Sequence, residues 1–67
     1  MMIRVNGKEQ ELVSAQLSVR GLLDLLGIKG SMIAVELNRE IVPKGRFAET
    51  PVRDGDSIEI LQLVGGG

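Results

Sequence analysis

The sequence predicts an α+β fold, one mixed β-sheet with a single helix packed on one face. Three observations carry that expectation. Two tight-turn signals, Asn6-Gly7 and Asn38-Arg39, each lie between runs of strand character. Between these hairpins Val19, Leu22, Leu23 and Leu26 recur at the i, i+3, i+4, i+7 spacing of a helix lying on a core. A last run, Ser57 to Val64, follows an Asp54-Gly55-Asp56 turn and reads as a closing strand.

In chain order, strands are expected at about Met1–Asn6 and Lys8–Val13. A two-residue turn at Asn6-Gly7 sets Val5 opposite Lys8, Arg4 opposite Glu9 and Ile3 opposite Gln10. Ser14 to Leu17 reads as a connector and Ser18 as the helix N-cap. Gly27, followed by Ile28, is placed for a Schellman stop. Gly21 inside the helix costs up to about 1 kcal/mol relative to Ala, and with Arg20 and Asp24 is expected to face solvent. Lys29-Gly30-Ser31 reads as a turn into Met32–Leu37, with Ile33, Val35 and Leu37 on one face. Asn38-Arg39 then turns into Glu40-Ile41-Val42, which Pro43 ends because it has no N–H to donate. Lys44 to Pro51 reads as irregular, with Phe47 plugging the open end of the core. The resulting ββαββ order leaves room for the last strand beside the first, which is the β-grasp architecture. Its single helix leaves one sheet face uncovered. The domain is expected over residues 1–64, with a flexible tail over 65–67.

At 67 residues the chain is near the lower limit for a core held by apolar contacts alone. It has no Cys and no His, so disulfide and zinc staples are unavailable in their usual form, and the commonest general base and the thiol nucleophile are missing. With no Tyr or Trp and one Phe, it has no stacking platform for bases or flavins. Lys+Arg 8 against Asp+Glu 9 gives a net charge of −1, which argues against nucleic-acid binding, since displacing phosphate counterions needs a concentrated positive patch. No apolar run is long enough for a membrane span and no leader is evident, so a cytoplasmic protein without membrane contact is expected. A catalytic constellation is absent, and an enzyme is not the reading these residues favour. Asp54 and Asp56 could be imagined as metal ligands, but Asp-Gly-Asp is far more often a turn, and no metal site is expected.

The reactive element, on this reading, is the end of the chain. Gly65, Gly66 and Gly67 span about 10 Å when extended and, lacking Cβ atoms, can thread a channel too narrow for any side chain. Gly67 would offer its carboxylate inside a partner's active site while the body docks outside. A carboxylate is a poor electrophile, whereas an acyl-adenylate has a good leaving group that a sulfur or amine nucleophile can displace. The bland alternative is a linker remnant or a frayed terminus. Just before the glycines, Leu61 and Leu63 fall on the face opposite Ile58 and Ile60. Met2, Met32 and Ala34 could share that face, with Glu9, Glu11 and Glu36 around them, as a docking surface rimmed by polar groups. The competing readings are a strand buried on both faces, or a bulge near Leu61 that resets the register.

The runs Val5-Asn6-Gly7-Lys8-Glu9, Val35 to Lys44 (with Asn-x-x-Ile-Val-Pro-Lys), Asp54 to Ile60 and the terminal Val64-Gly65-Gly66-Gly67 together resemble the ThiS family, the sulfur carriers of thiamin thiazole biosynthesis. The likeness covers essentially the whole chain. It implies a ubiquitin-like β-grasp fold and a carrier role. By that resemblance Gly67 is adenylated by an E1-like enzyme of ThiF type using Mg-ATP and converted to a thiocarboxylate, with sulfur from a donor protein. The thiocarboxylate then serves a thiazole synthase of ThiG type. The chain itself is expected to bind no cofactor, ATP and Mg belonging to the activating partner. Two departures stand out: Phe47 where relatives often carry Trp, and Gly21 where a Glu often follows three residues after the N-cap, which predicts a less firmly capped first turn. A molybdopterin synthase small subunit, also a β-grasp with a Gly-Gly end, usually runs longer and lacks the Asn-x-x-Ile-Val-Pro stretch. A ubiquitin-like modifier linked to lysines is the alternative from another class. A 2Fe–2S ferredoxin fails for want of Cys ligands.

Overall fold

In the computed structural model, residues 1–13, 16–29 and 32–62 are described. The first hairpin is β1 (Met2–Val5) and β2 (Lys8–Glu11), antiparallel in the expected register, Val5 to Lys8, Arg4 to Glu9 and Ile3 to Gln10. Asn6 and Gly7 both have positive φ, 51° and 83°, which is what a two-residue turn following the twist of the strands requires. The second hairpin, β4 (Ile33–Leu37) and β5 (Glu40–Val42), is built alike, with Asn38 at φ 51° and Arg39 at φ 72°. The last strand, β7 (Ser57–Gln62), lies between the hairpins, parallel to β1 and antiparallel to β4. The sheet order is therefore β2-β1-β7-β4-β5, the mixed β-grasp sheet expected from sequence.

Helix α1 (Val19–Leu25) covers one face. Its buried residues Val19, Leu22 and Leu23 pack with Ile3, Val5, Val35, Val42, Ile58 and Ile60, and Leu12, Phe47 and Val52 complete the core. The helix ends as its sequence demands. Gly27, at φ 72°, donates its amide to the Asp24 carbonyl at 3.1 Å, and Ile28 donates to the Leu23 carbonyl at 2.9 Å, the paired bonds of a Schellman stop.

Four expectations need correction. Leu17 is not connector but, with Ser18, forms a two-residue strand β3 antiparallel to β6 (Pro51–Val52). The stretch from Lys44 contains a 3-10 turn, Lys44–Arg46, before β6, so it is less irregular than its composition suggests. The absent Glu does not leave the first helical turn loose. The Val19 amide bonds the Thr50 carbonyl at 2.9 Å, the Arg20 amide bonds the Phe47 carbonyl at 3.0 Å, and Ser18 Oγ accepts from the Gly21 amide at 3.0 Å. The loop carrying Phe47 thus supplies the cap that a side chain supplies elsewhere. Gly21, finally, is half-buried rather than solvent-facing: a Cβ there would come within 3.0 Å of Leu17 Cδ1. Predicted strand ends beyond Gln62, the turn residues Gly30 and Ser31, and Ser14 and Ala15 of the connector lie outside the described residues.

Candidate functional site: the open sheet face and the end of the last strand

The sheet face away from α1 presents Met2 and Arg4 of β1, Glu9 and Glu11 of β2, Ala34 and Glu36 of β4, Ile41 of β5, and Glu59 and Leu61 of β7. Leu61 reaches this face by plain alternation with Ile60, because β7 keeps continuous register against β4 from Leu37–Ile58 to Ile33–Gln62. That disposes of a bulge near Leu61. Its 59% exposure also disposes of burial on both faces.

Leu61 stands opposite Ala34. Ile41, opposite Glu36, is 76% exposed and adjoins them, so that Ala34, Ile41 and Leu61 line one shallow depression with Glu36, Glu59 and Asn6. Ile41 was missing from the sequence-derived set. Its signal was available, since a two-residue turn at Asn38-Arg39 places Ile41 directly across from Glu36. Met32, one residue ahead of β4, shares the parity of Ala34 and is 53% exposed.

Met2 does not join this group. Arg4 lies beside Ser57 in the parallel pairing, so Met2 is level with the turn before β7 and about 20 Å along the strand from Leu61. It borders a separate depression with Arg4, Glu9, Gly55 and Ser57. The sequence suggested a shared face correctly, but the parallel offset of β1 against β7 puts Met2 at the other end. Leu63, Gly65, Gly66 and Gly67 lie outside the described residues.

The electrostatics of the face are one-sided. Among the described residues, Glu9, Glu11, Glu36 and Glu59 are exposed there against one cation, Arg4, which stands 4.0 Å from Glu9. Glu36 and Glu59 are direct cross-strand neighbours, an arrangement of like charges that destabilises a sheet. Asp54 and Asp56, by contrast, serve the turn: Asp54 Oδ1 accepts from the Met2 amide at 2.7 Å, and Asp56 Oδ2 from the Arg53 amide at 2.7 Å.

Sequence reasoning also missed how β7 is held at each end. Asn6, in the first hairpin turn, accepts from the Ile60 amide through Oδ1 at 2.7 Å and donates from Nδ2 to the Ile60 carbonyl at 3.1 Å. Asn38, in the second, accepts from the Ser57 amide through Oδ1 at 2.9 Å. Sequence alone gives each asparagine only its turn role, because the second partner is 54 or 19 residues away.

The sequence model of the ThiS family matches residues 3–67. A ThiS crystal structure from Geobacter metallireducens superposes with a TM-score of 0.87 at 38% identity, covering 100% of both chains. The sulfur carrier protein ThiS of Bacillus subtilis is 35% identical over 98% of this chain and 100% of its own length. A thiazole synthase of Paramagnetospirillum magneticum is 45% identical over the whole chain, but the chain spans only 20% of that relative's length. Matched by the family model over nearly its whole length and sharing the β-grasp sheet of its solved relative, the chain belongs to the ThiS family.

Proposed function

We propose that this chain is a sulfur carrier for the thiazole ring of thiamin and that Gly67 is the residue that carries the sulfur. The observation supporting this most directly is family membership over residues 3–67, a span that includes the terminal Gly65-Gly66-Gly67. An E1-like enzyme of ThiF type would join the Gly67 carboxylate to AMP from Mg-ATP, releasing pyrophosphate. The outer sulfur of a donor protein's persulfide would then displace AMP to form an acyl disulfide, and a thiol reductant would cleave its S–S bond, leaving a thiocarboxylate for a thiazole synthase of ThiG type. The occurrence of a homologous segment within thiazole synthases of other organisms supports the last partner. On this reading the catalytic groups and the ATP site would belong to the partners. The chain's part is to be held in place, in the cytoplasm, by partners that bring the chemistry. Gly65 and Gly66 would thread the partner's channel, and Ala34, Leu61, Leu63 and Met32, now joined by Ile41, would dock the body.

Intact-mass analysis after incubation with the cognate E1-like enzyme, Mg-ATP and a sulfur donor tests this. One oxygen replaced by sulfur, localised to Gly67, is expected. Failure to form either an adenylate or a thiocarboxylate would overturn the proposal. Removing Gly66 and Gly67 should abolish the product while leaving the melting temperature nearly unchanged, because the core cluster runs from Ile3 to Ile60.

A further inference from the structure

β1 turns away at Asn6-Gly7, level with Ile58 of β7: the Asn6 amide donates to the Ile58 carbonyl at 2.9 Å. From there β7 runs on towards Gln62 with β4 as its paired strand. The next backbone groups on its β1 side are the N–H and C=O of Ile60. The Asn6 side chain takes both, doing for them what one more strand residue would do.

We infer that Asn6 is a positioning residue for the reaction at Gly67: its two bonds to Ile60 fix the heading of β7 on its β1 side, two residues before the last pair with β4 at Gln62. Without them the last residues of β7 are held by their pairing with β4 and by the bond from Gln62 Nε2 to the Lys29 carbonyl at 3.2 Å, and the heading of the strand is less firmly set. Asn6 also borders the Ala34–Ile41–Leu61 depression, so the clamp ties the base of the tail to the surface that docks the body. A tail must arrive in register with a docked body, and misplacement there is read as lost rate rather than lost binding.

The fold supplies its own control. Asn38 has the same φ of 51°, occupies the same position in the other hairpin turn, and bonds the opposite end of β7 at Ser57. Its backbone amide donates to the Ser57 carbonyl at 2.8 Å, as that of Asn6 does to Ile58. Asn6→Gly and Asn38→Gly both keep a residue suited to positive φ, and both lose a side-chain clamp on the same strand.

The inference rests on the carrier reading above, and the experiment separates the two. Amide hydrogen exchange is measured on each variant, and adenylation kinetics are measured with the cognate E1-like enzyme. For Asn6→Gly, protection of the Ile60 amide should fall about tenfold or more, as expected for loss of one to two hydrogen bonds. Its kcat should drop about tenfold with KM little changed, against less than about twofold for Asn38→Gly at matched stability. Asn6→Asp, which can still accept from the Ile60 amide, should fall between. Equal kinetics for Asn6→Gly and Asn38→Gly, or an Ile60 amide that stays protected in Asn6→Gly, would overturn the positioning role. No activation of the unsubstituted protein would instead overturn the carrier reading, with the exchange result still standing on its own.

Discussion

Two glycines of the helix show how single residues answer to different constraints. Gly27 sits at φ 72° with nothing within 4 Å of a built Cβ, so only backbone strain opposes a side chain there. Gly27→Ala should cost about 1–2 kcal/mol, since left-handed backbone penalises L-residues by that amount. In a domain this small that is a fall of roughly 4–16 °C in melting temperature, readable by circular dichroism. Gly21 is the reverse case, with ordinary helical backbone but a Cβ contact of 3.0 Å to Leu17 Cδ1. Gly21→Ala should come out close to neutral, the gain in helix propensity of up to about 1 kcal/mol being offset by displacing Leu17. If Gly21→Ala proved as damaging as Gly27→Ala, Leu17 would be a rigid part of the core. Periodicity alone put Gly21 on the solvent side; the strand formed by Leu17 and Ser18 folds a leucine over it.

Among the elements, β7 has the most to do, with core residues Ile58 and Ile60 on one face and Leu61 of the proposed docking surface on the other. Leu61→Glu should leave the melting temperature within about 4 °C, since surface substitutions away from special features rarely exceed about 0.5 kcal/mol. It should nevertheless raise the KM for the activating enzyme several-fold; collapse of the fold in that variant would mean Leu61 is core. Ile41→Glu should behave alike. Phe47→Ala should cost about 3–5 kcal/mol, enough to leave so small a domain largely unfolded by thermal melt, because the ring is buried where the helix cap and core meet. Hairpins, helix stripe and closing strand were legible because each rests on local chemistry: Asn-Gly and Asn-Arg turns, a Ser cap, a Gly stop. What escaped was non-local. The pairing of Leu17 with Val52, the carbonyls of Phe47 and Thr50 under the helix, and the Asn6–Ile60 bonds all join residues whose proximity only the finished fold creates. The misplacement of Met2 has the same origin, since a parallel offset leaves no mark in either strand's own sequence.

At the scale of the molecule, the open face is acidic while the helix side is mixed, with Arg46 paired to Glu49 at 3.6 Å. The open face holds Glu9, Glu11, Glu36 and Glu59 around its apolar centre, while Arg20, Lys44, Arg46 and Arg53 belong to the helix and the loops that pack beside it. A partner suited to that face would present apolar groups within a basic surround. Association should weaken as salt rises, because screening shortens the reach of exposed charges to about 8 Å at physiological ionic strength. The double variant Glu36→Lys, Glu59→Gln should test the sign on both counts. Relief of the Glu36–Glu59 repulsion should hold or slightly raise the melting temperature, while association by stopped-flow should slow several-fold. Slowed association at low salt that vanishes at high salt would identify steering as the cause; an unchanged rate at low salt would exclude the face from the encounter.

The place of β7 in the sheet has a mechanical consequence. In the proposed threading, any tension on the tail would enter the domain along the axis of its central strand. The bonds to β1 and β4 lie across that axis, so they are sheared together rather than peeled one at a time. The strand that leads to the tail is thus the one the domain can least easily surrender. A pull along that strand would load its bonds to both neighbours at once.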